Sequence, residues 1–289
     1  MTEWRRQRWR SGGALVAAGI VVGVCVATGG CAGRGVAAED ARGAGDAAEN
    51  PVSTLRHAAD VLEAAGTSRA TTSMEMATGG TRVTIRGRGV YDYRRQLGRL
   101  TVLLPQDPAG VTTHRPITEL LAPGALFMKN RGAGVPADKW VRVDTATLSD
   151  GNLVTGGATD PFAAAELLRG TRAATFEGRT EVGGVAVRHY RGTADLALAA
   201  GEASAGNRKP LGAAAKGFAT ARVPFDVYLD DRGRVRKVRH RFSFVNGHRG
   251  TAGTAVAVSS TTLLYGFGVP AEVRLPDADD IYAGRVAEQ

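Results

Sequence analysis

The sequence predicts an α+β fold: an antiparallel sheet that curls, interrupted by a few helices. Three observations lead there. Apolar and polar residues alternate through most of the chain between Arg69 and Tyr265, the period of strands with one buried and one solvated face. Glycines such as Gly87 and Gly89 fall inside these strands, where glycine often marks a bend or bulge. Helical spacing appears only in short stretches that carry their own start and stop signals.

The chain opens with MTEWRRQRWRSGGALVAAGIVVGVCVATGGCAG. Four arginines, a Gly/Ala/Val-rich run and a small-residue exit describe a secretory signal. Gly30-Cys31 is similar to a bacterial lipobox, in which the peptidase cuts before a cysteine that carries diacylglycerol. Thr28 stands where Leu, Val or Ile is usual, and Val24 is too large for Cys25 to be the alternative. Residues 1–30 are therefore read as a lipoprotein signal peptide and 31–50 as the lipidated Cys31 followed by a flexible linker. An ordinary signal peptide cut near Ala27 or Ala32 and an uncleaved anchor are the alternatives. Roughly 16 to 18 weakly apolar residues are short for a membrane span of about 20. All three readings place the remainder outside the cytoplasm, and the first anchors it to the cell membrane.

Residues 51–289 are expected to form a single domain. PVSTLRHAADVLEAAG spaces Leu55, Ala58, Ala59, Leu62 and Ala65 as a helix, with Ser53 as the expected cap, Gly66 as the stop and His57 on the surface. Thr72, Met74 and Met76 then share one strand face, and a turn at Gly79-Gly80 leads to Val83 and Ile85 on the next strand. Leu100, Val102 and Leu104 mark a third strand. A strand pair follows around Leu120 and Phe127, and another strand starts at Trp140. DPFAAAELLRG is a helix with Asp160 as N-cap, Pro161 at its first position and Gly170 beyond its end. Two strands joined at Gly183-Gly184 come next, then two short helices between Leu196 and Phe218. VPFDVYLDDRGRVRKVRHRFSFV is the strongest hairpin, turning at Asp231-Arg232-Gly233. TAVAVSSTTLLYGF is the last strand, and Pro270 and Pro276 keep the tail extended.

Composition narrows the chemistry. Net charge is +9; loss of residues 1–30 removes four arginines and Glu3 and leaves +6. Codon bias in a GC-rich, actinobacterial type of genome accounts for an Arg-, Ala- and Gly-rich surface, and attraction to an anionic membrane is the functional alternative. Past residue 10 there is no dense basic block, so nucleic acid is not expected as a partner. Both cysteines lie within the first 31 residues, which leaves no disulfide or thiol chemistry for the folded part. HExxH, CxxC, P-loop and GxSxG sequences are absent. GFGVPA matches a dinucleotide spacing, but Pro270 follows where a helix must begin. His240 falls on an apolar strand face, as a core or cavity histidine. Asp230/Asp231 and Asp277/Asp279/Asp280 read as solvated turns rather than calcium sites. No enzyme, cofactor or metal is expected.

The strands GVAVRHYRGTADL and VPFDVYLDDRGRVRKV and the ending YGFGVPAEVRLPDADDI, in that order, resemble the LppX/LprA/LprF/LprG lipoproteins of actinobacteria, within the LolA/LolB-like group. Tyr228 stands where a Trp is common and Ala271 where a Val is common. The resemblance runs over about residues 52–282 and carries no catalytic signature. It implies a curved antiparallel half-barrel, an incomplete β-barrel with helices covering the open side, whose hollow holds a lipid or glycolipid for transport or presentation. Candidate lining residues are Val83, Ile85, Leu100, Val102, Phe127, Trp140, Phe162, Phe225, Val227, Leu229, Phe242 and Phe244. Alternation alone does not separate a lined cavity from a packed core. A filled-core envelope interaction or sensor protein is the alternative, and a hydrolase without a sequence motif a weaker one.

Overall fold

The computed structural model describes residues 50–78, 81–105, 115–132, 134–246 and 254–284. The residues read as signal segment, lipidated Cys31 and linker, and the turn expected at Gly79-Gly80, lie outside them. Eleven strands pair antiparallel into one curved sheet that does not close. In chain order they are β1 (Thr67–Thr78), β2 (Thr81–Asp92), β3 (Leu97–Leu103), β4 (Ile117–Ala122), β5 (Ala125–Lys129), β6 (Val141–Asp144), β7 (Thr171–Val182), β8 (Val185–Asp195), β9 (Arg222–Leu229), β10 (Val235–Asn246) and β11 (Thr254–Tyr265). The sheet order is β6-β5-β4-β3-β2-β1-β11-β10-β9-β8-β7. Two meanders, β1–β6 and β7–β11, are thus joined along the β1–β11 pair, from Arg69↔Tyr265 to Ala77↔Ala257.

Period-two patterning decides the faces. Ala70, Thr72 and Met74 on β1 sit opposite Gly89, Gly87 and Ile85 on β2, and Leu264, Thr262 and Ser260 on β11 continue the same face. This inner face carries the main core, which runs from Leu100 and Val102 on β3 to Phe225, Val227 and Leu229 on β9. Gly87 and Gly89 do not mark bulges. The β2–β3 register runs unbroken from Arg86 to Asp92. These glycines serve close approach instead: a Cβ at Gly89 would lie 1.8 Å from the Arg99 carbonyl oxygen, and one at Gly87 would lie 2.5 Å from Thr72 Oγ1. Register shifts occur at Thr171/Ala173 and Phe176/Gly178 on β7, and between Val235 and Lys237 on β10.

Helices pack over the inner face. The first helical stretch divides at His57 into α1 (Pro51–Arg56) and α2 (Ala58–Ala65), and its cap is Asn50 rather than Ser53. Asn50 accepts a 3.0 Å bond from the Val52 amide and Pro51 takes the first helical position, a better start than Ser53 offers. Ser53 instead gives its carbonyl to His57 Nδ1 at 2.8 Å. In α3 (Pro161–Glu166) the Asp160 cap is as expected, accepting from the Phe162 and Ala163 amides at 2.7 and 3.1 Å. Phe162 then packs at a tilt against Tyr91 and Tyr93, with ring centroids 6.4 and 6.0 Å away. The Ala/Gly-rich stretch forms α4 (Leu196–Glu202) and α5 (Ala205–Gly217). Buried Glu166 ties α3 to their junction by accepting from the Ser204 amide, Ser204 Oγ and Asn207 Nδ2 at 2.6–2.9 Å.

Asp230 is a correction. It is buried rather than solvated, and it organises the β9–β10 turn by accepting from the amides of Arg232 and Arg234 and from the Arg234 guanidinium. A short backbone turn needs an acceptor for its free amides, which is why an aspartate stands there.

Candidate functional site, the inner face of the half-barrel

The sheet brings ten of the twelve candidate lining residues onto or against one face. Ile85, Leu100, Val102, Phe162, Phe225, Val227, Leu229 and Phe242 are buried in the main cluster, with Val83 and Phe244 partly buried against it. Phe127 and Trp140 do not join them. Phe127 sits with Leu97, Leu120, Ala125 and Val273 in a separate cluster, and Trp140 packs against it. The reason lies in β5, buried on both sides along Ala125–Met128, so alternation names no inner face there. Leu126 and Met128 point inward, while Phe127 faces out beneath the C-terminal tail. Trp140 is bound to that tail, its amide donating to the Asp280 carbonyl and its carbonyl accepting from the Tyr282 amide, both at 2.8 Å.

The centre of the inner face is covered by an irregular segment, Thr145–Asp160, which carries no apolar period in the sequence. A 3₁₀ turn at Thr145–Thr147 opens it, and Leu153, Ala158 and Thr159 are fully buried. Gly157, with φ +89°, lies over Ile85 and Val102, and Ala158 lies over Gly87. Its other side meets α5: a Cβ on Gly151 would come within 2.1 Å of the Pro210 carbonyl oxygen. Asp150 holds the loop together, accepting from the amides of Asn152, Val154 and Thr155 at 3.1, 2.7 and 2.6 Å. Thr159 Oγ1 donates to the Leu153 carbonyl at 2.8 Å, so Ser260 Oγ on β11 is the donor in their 2.6 Å contact.

Several polar groups on the inner face have no partner among the described residues. They are both carboxylate oxygens of Glu119, the hydroxyls of Thr72 and Thr262, Nε2 of His240 and Oδ1 of Asn152. Burial pushes the Glu119 carboxyl up to about 8, against the pull of Arg131. Burial likewise brings His240 down to about 3, so its ring is neutral. Asp160 is pushed up to about 6 by burial, although the Ala163 and Phe162 amides and the Tyr91 hydroxyl stabilise its anion. Of these, His240 was legible as a buried histidine, and Glu119 was hidden by an apolar strand whose alternation it follows.

A concavity also lies away from this face. It is an open, polar groove of about 750 Å³ between α1 and the β7–β8 and β9–β10 strands, lined by Asn50, His57, Arg179, Arg188 and Asp231 among others. Beneath the 145–160 segment, an enclosed void of about 20 Å³ lies among Leu121, Asn152, Asp160 and Ala163. Among the described residues no cluster of His, Cys, Asp and Glu is arranged to hold a metal ion. Ser260 and His240 are register partners, but the Ser260 hydroxyl is spent on Thr159 and no carboxylate joins them.

No protein-family model and no curated protein sequence matches the chain. Among solved structures it is similar to LprF from Mycobacterium bovis, with a TM-score of 0.39 and 12% identity over 78% of this chain and 96% of that one. It is also similar to the Mycobacterium tuberculosis lipoprotein LppX, with a TM-score of 0.39 and 11% identity over 77% and 97% of the two chains. A LolA superfamily protein, NE2245 from Nitrosomonas europaea, gives a TM-score of 0.34 and 10% identity over 81% and 99%.

Proposed function

We propose that this protein is an extracytoplasmic lipoprotein, held to the cell membrane through Cys31, that carries or presents a lipid or glycolipid on the inner face of its half-barrel. The 145–160 segment lies where the acyl chains would lie. The observation that carries the proposal is this segment. The face that carries the main buried apolar cluster is covered at its centre by an irregular segment and not by a regular element.

Magnitudes favour exchange. An acyl chain of about 16 carbons gains on the order of 12 kcal/mol gross by burial, at about 0.8 kcal/mol per methylene. Leu153, the largest side chain the loop buries completely, is worth about 2 kcal/mol by the same measure. Its hydrogen bonds add about 1 kcal/mol each, and its release returns about 1 kcal/mol of backbone entropy per residue. Native mass spectrometry of the untagged domain from Ala32 onward, made in a host of its own type, tests the proposal. Bound lipid supports it.

One observation favours the second reading, an envelope interaction or sensor protein with a filled core. The inner-face side chains and the loop already form one contiguous buried cluster. That reading predicts a bare mass and activity that survives mutations of the inner face.

A further inference from the structure

Besides Glu119 on β4 and Ser68 on β1, the inner face carries a polar patch at its centre. There Thr72 on β1 stands opposite Thr262 on β11, and Ser260, two residues along the same strand, stands opposite His240 on β10. All four are buried, with relative exposures of 1–3%. They form one patch across three neighbouring strands, enclosed by Met74, Val238, Phe225 and Phe242. Three of the four leave a polar atom without a partner: Thr72 Oγ1, Thr262 Oγ1 and His240 Nε2. An orphaned polar atom in an apolar interior costs about as much as a lost hydrogen bond, and here three of them are neighbours.

The fourth, Ser260, is satisfied by the loop, and the way it is satisfied is informative. Its partner is the Thr159 hydroxyl, a neutral oxygen delivered by the segment that covers the face. Directly beside it, Ala158 is the loop's contact with Gly87, the glycine against which the Thr72 hydroxyl lies. The covering segment therefore brings an apolar surface with one neutral oxygen to this patch. No charged side chain belongs to the patch to compensate an ionic group.

We propose that the patch is a seat for a neutral oxygen function within an acyl chain: the hollow takes chains carrying a hydroxyl or ester along their length, and Thr159 Oγ1 holds the place of that oxygen. This rests on the carrier function proposed above. On binding, one hydroxyl, with one proton to donate and two lone pairs, can serve up to three of Thr72, Thr262, Ser260 and His240, while the hydrocarbon to either side lies on the flanking apolar rows.

The test uses the full-length protein, stripped of lipid and held in an amphipathic polymer. It is titrated with methyl stearate and with methyl 12-hydroxystearate, which differ by one mid-chain hydroxyl. The hydroxylated probe is expected to bind about tenfold more tightly, the worth of a buried hydrogen bond. Thr72→Val with Thr262→Val is expected to abolish that preference, and Thr72→Ser with Thr262→Ser, which keeps both hydroxyls, to retain it. Equal binding of the two probes, or a preference that survives in the valine variant, overturns the seat and leaves the carrier function standing. If neither probe binds, both fall.

Discussion

At the scale of the residue, Glu119 and His240 set how the molecule responds to pH, and they act in opposite directions. Glu119 holds its proton up to about 8 in the fold, against an ordinary 4.5, because burial penalises its anion. The folded state therefore binds more protons than the unfolded one between those values, and stability falls as pH rises through them. Asp160, raised from 3.8 to about 6, works in the same direction at lower pH. His240 does the reverse: its shift from 6.5 down to about 3 makes stability fall as pH drops through that window. Between pH 6.5 and 8 Glu119 thus acts without the other two. Denaturant unfolding should show a loss of about 1–2 kcal/mol across that interval, at about 1.4 kcal/mol per pH unit while the difference in bound protons lasts. Glu119→Gln, which cannot ionise, should flatten the profile there. An unchanged slope in the variant would mean that Glu119 is hydrated and ionised in the fold.

At the scale of the element, the 145–160 segment is organised around one side chain. Asp150 gathers three of its amides. Asp150→Ala should cost about 1–2 kcal/mol of stability and speed hydrogen exchange at Asn152, Val154 and Thr155 far more than in the sheet. If exchange rises equally throughout, the segment does not move as a unit.

The same element marks where the sequence stops being informative. Strands from β1 to β3 and from β9 to β11 were legible because each buries one face, so Ile85, Leu100, Val227 and Phe242 follow from alternation alone. The helix at Asp160-Pro161 was legible from its cap. The covering loop was not, because Leu153 and Ala158 are buried through turns at Gly151, Asn152 and Gly157, all with positive φ, and such a path has no period. Phe127 and Trp140 were assigned to the wrong face for a related reason. A strand covered on one side by the core and on the other by the tail loses the contrast that identifies its inner residues.

At the scale of the whole molecule, the sheet is assembled from two meanders whose strands, among the described residues, pair with each other through β1 and β11, the first and last strands of the sheet in sequence. Ending the chain after Asn246 removes β11 and leaves β1 and β10 without the strand between them. Cooperative unfolding should disappear, because the inner face then loses its central row. The proposed anchor acts at this scale too. Cys31→Ala should move the protein from the membrane fraction to the soluble extracytoplasmic one; retention would point to an uncleaved N-terminal segment.

The most direct test of the central claim is the mass of the native, untagged domain from Ala32 onward, purified without detergent from a host of its own type. The carrier function predicts a population heavier than the polypeptide by the mass of one or more lipids, released on denaturation. It also predicts faster exchange of the 145–160 amides in that heavier population. A bare polypeptide mass, with those amides as protected as the sheet around them, would contradict it and leave the filled core as the working state of the protein.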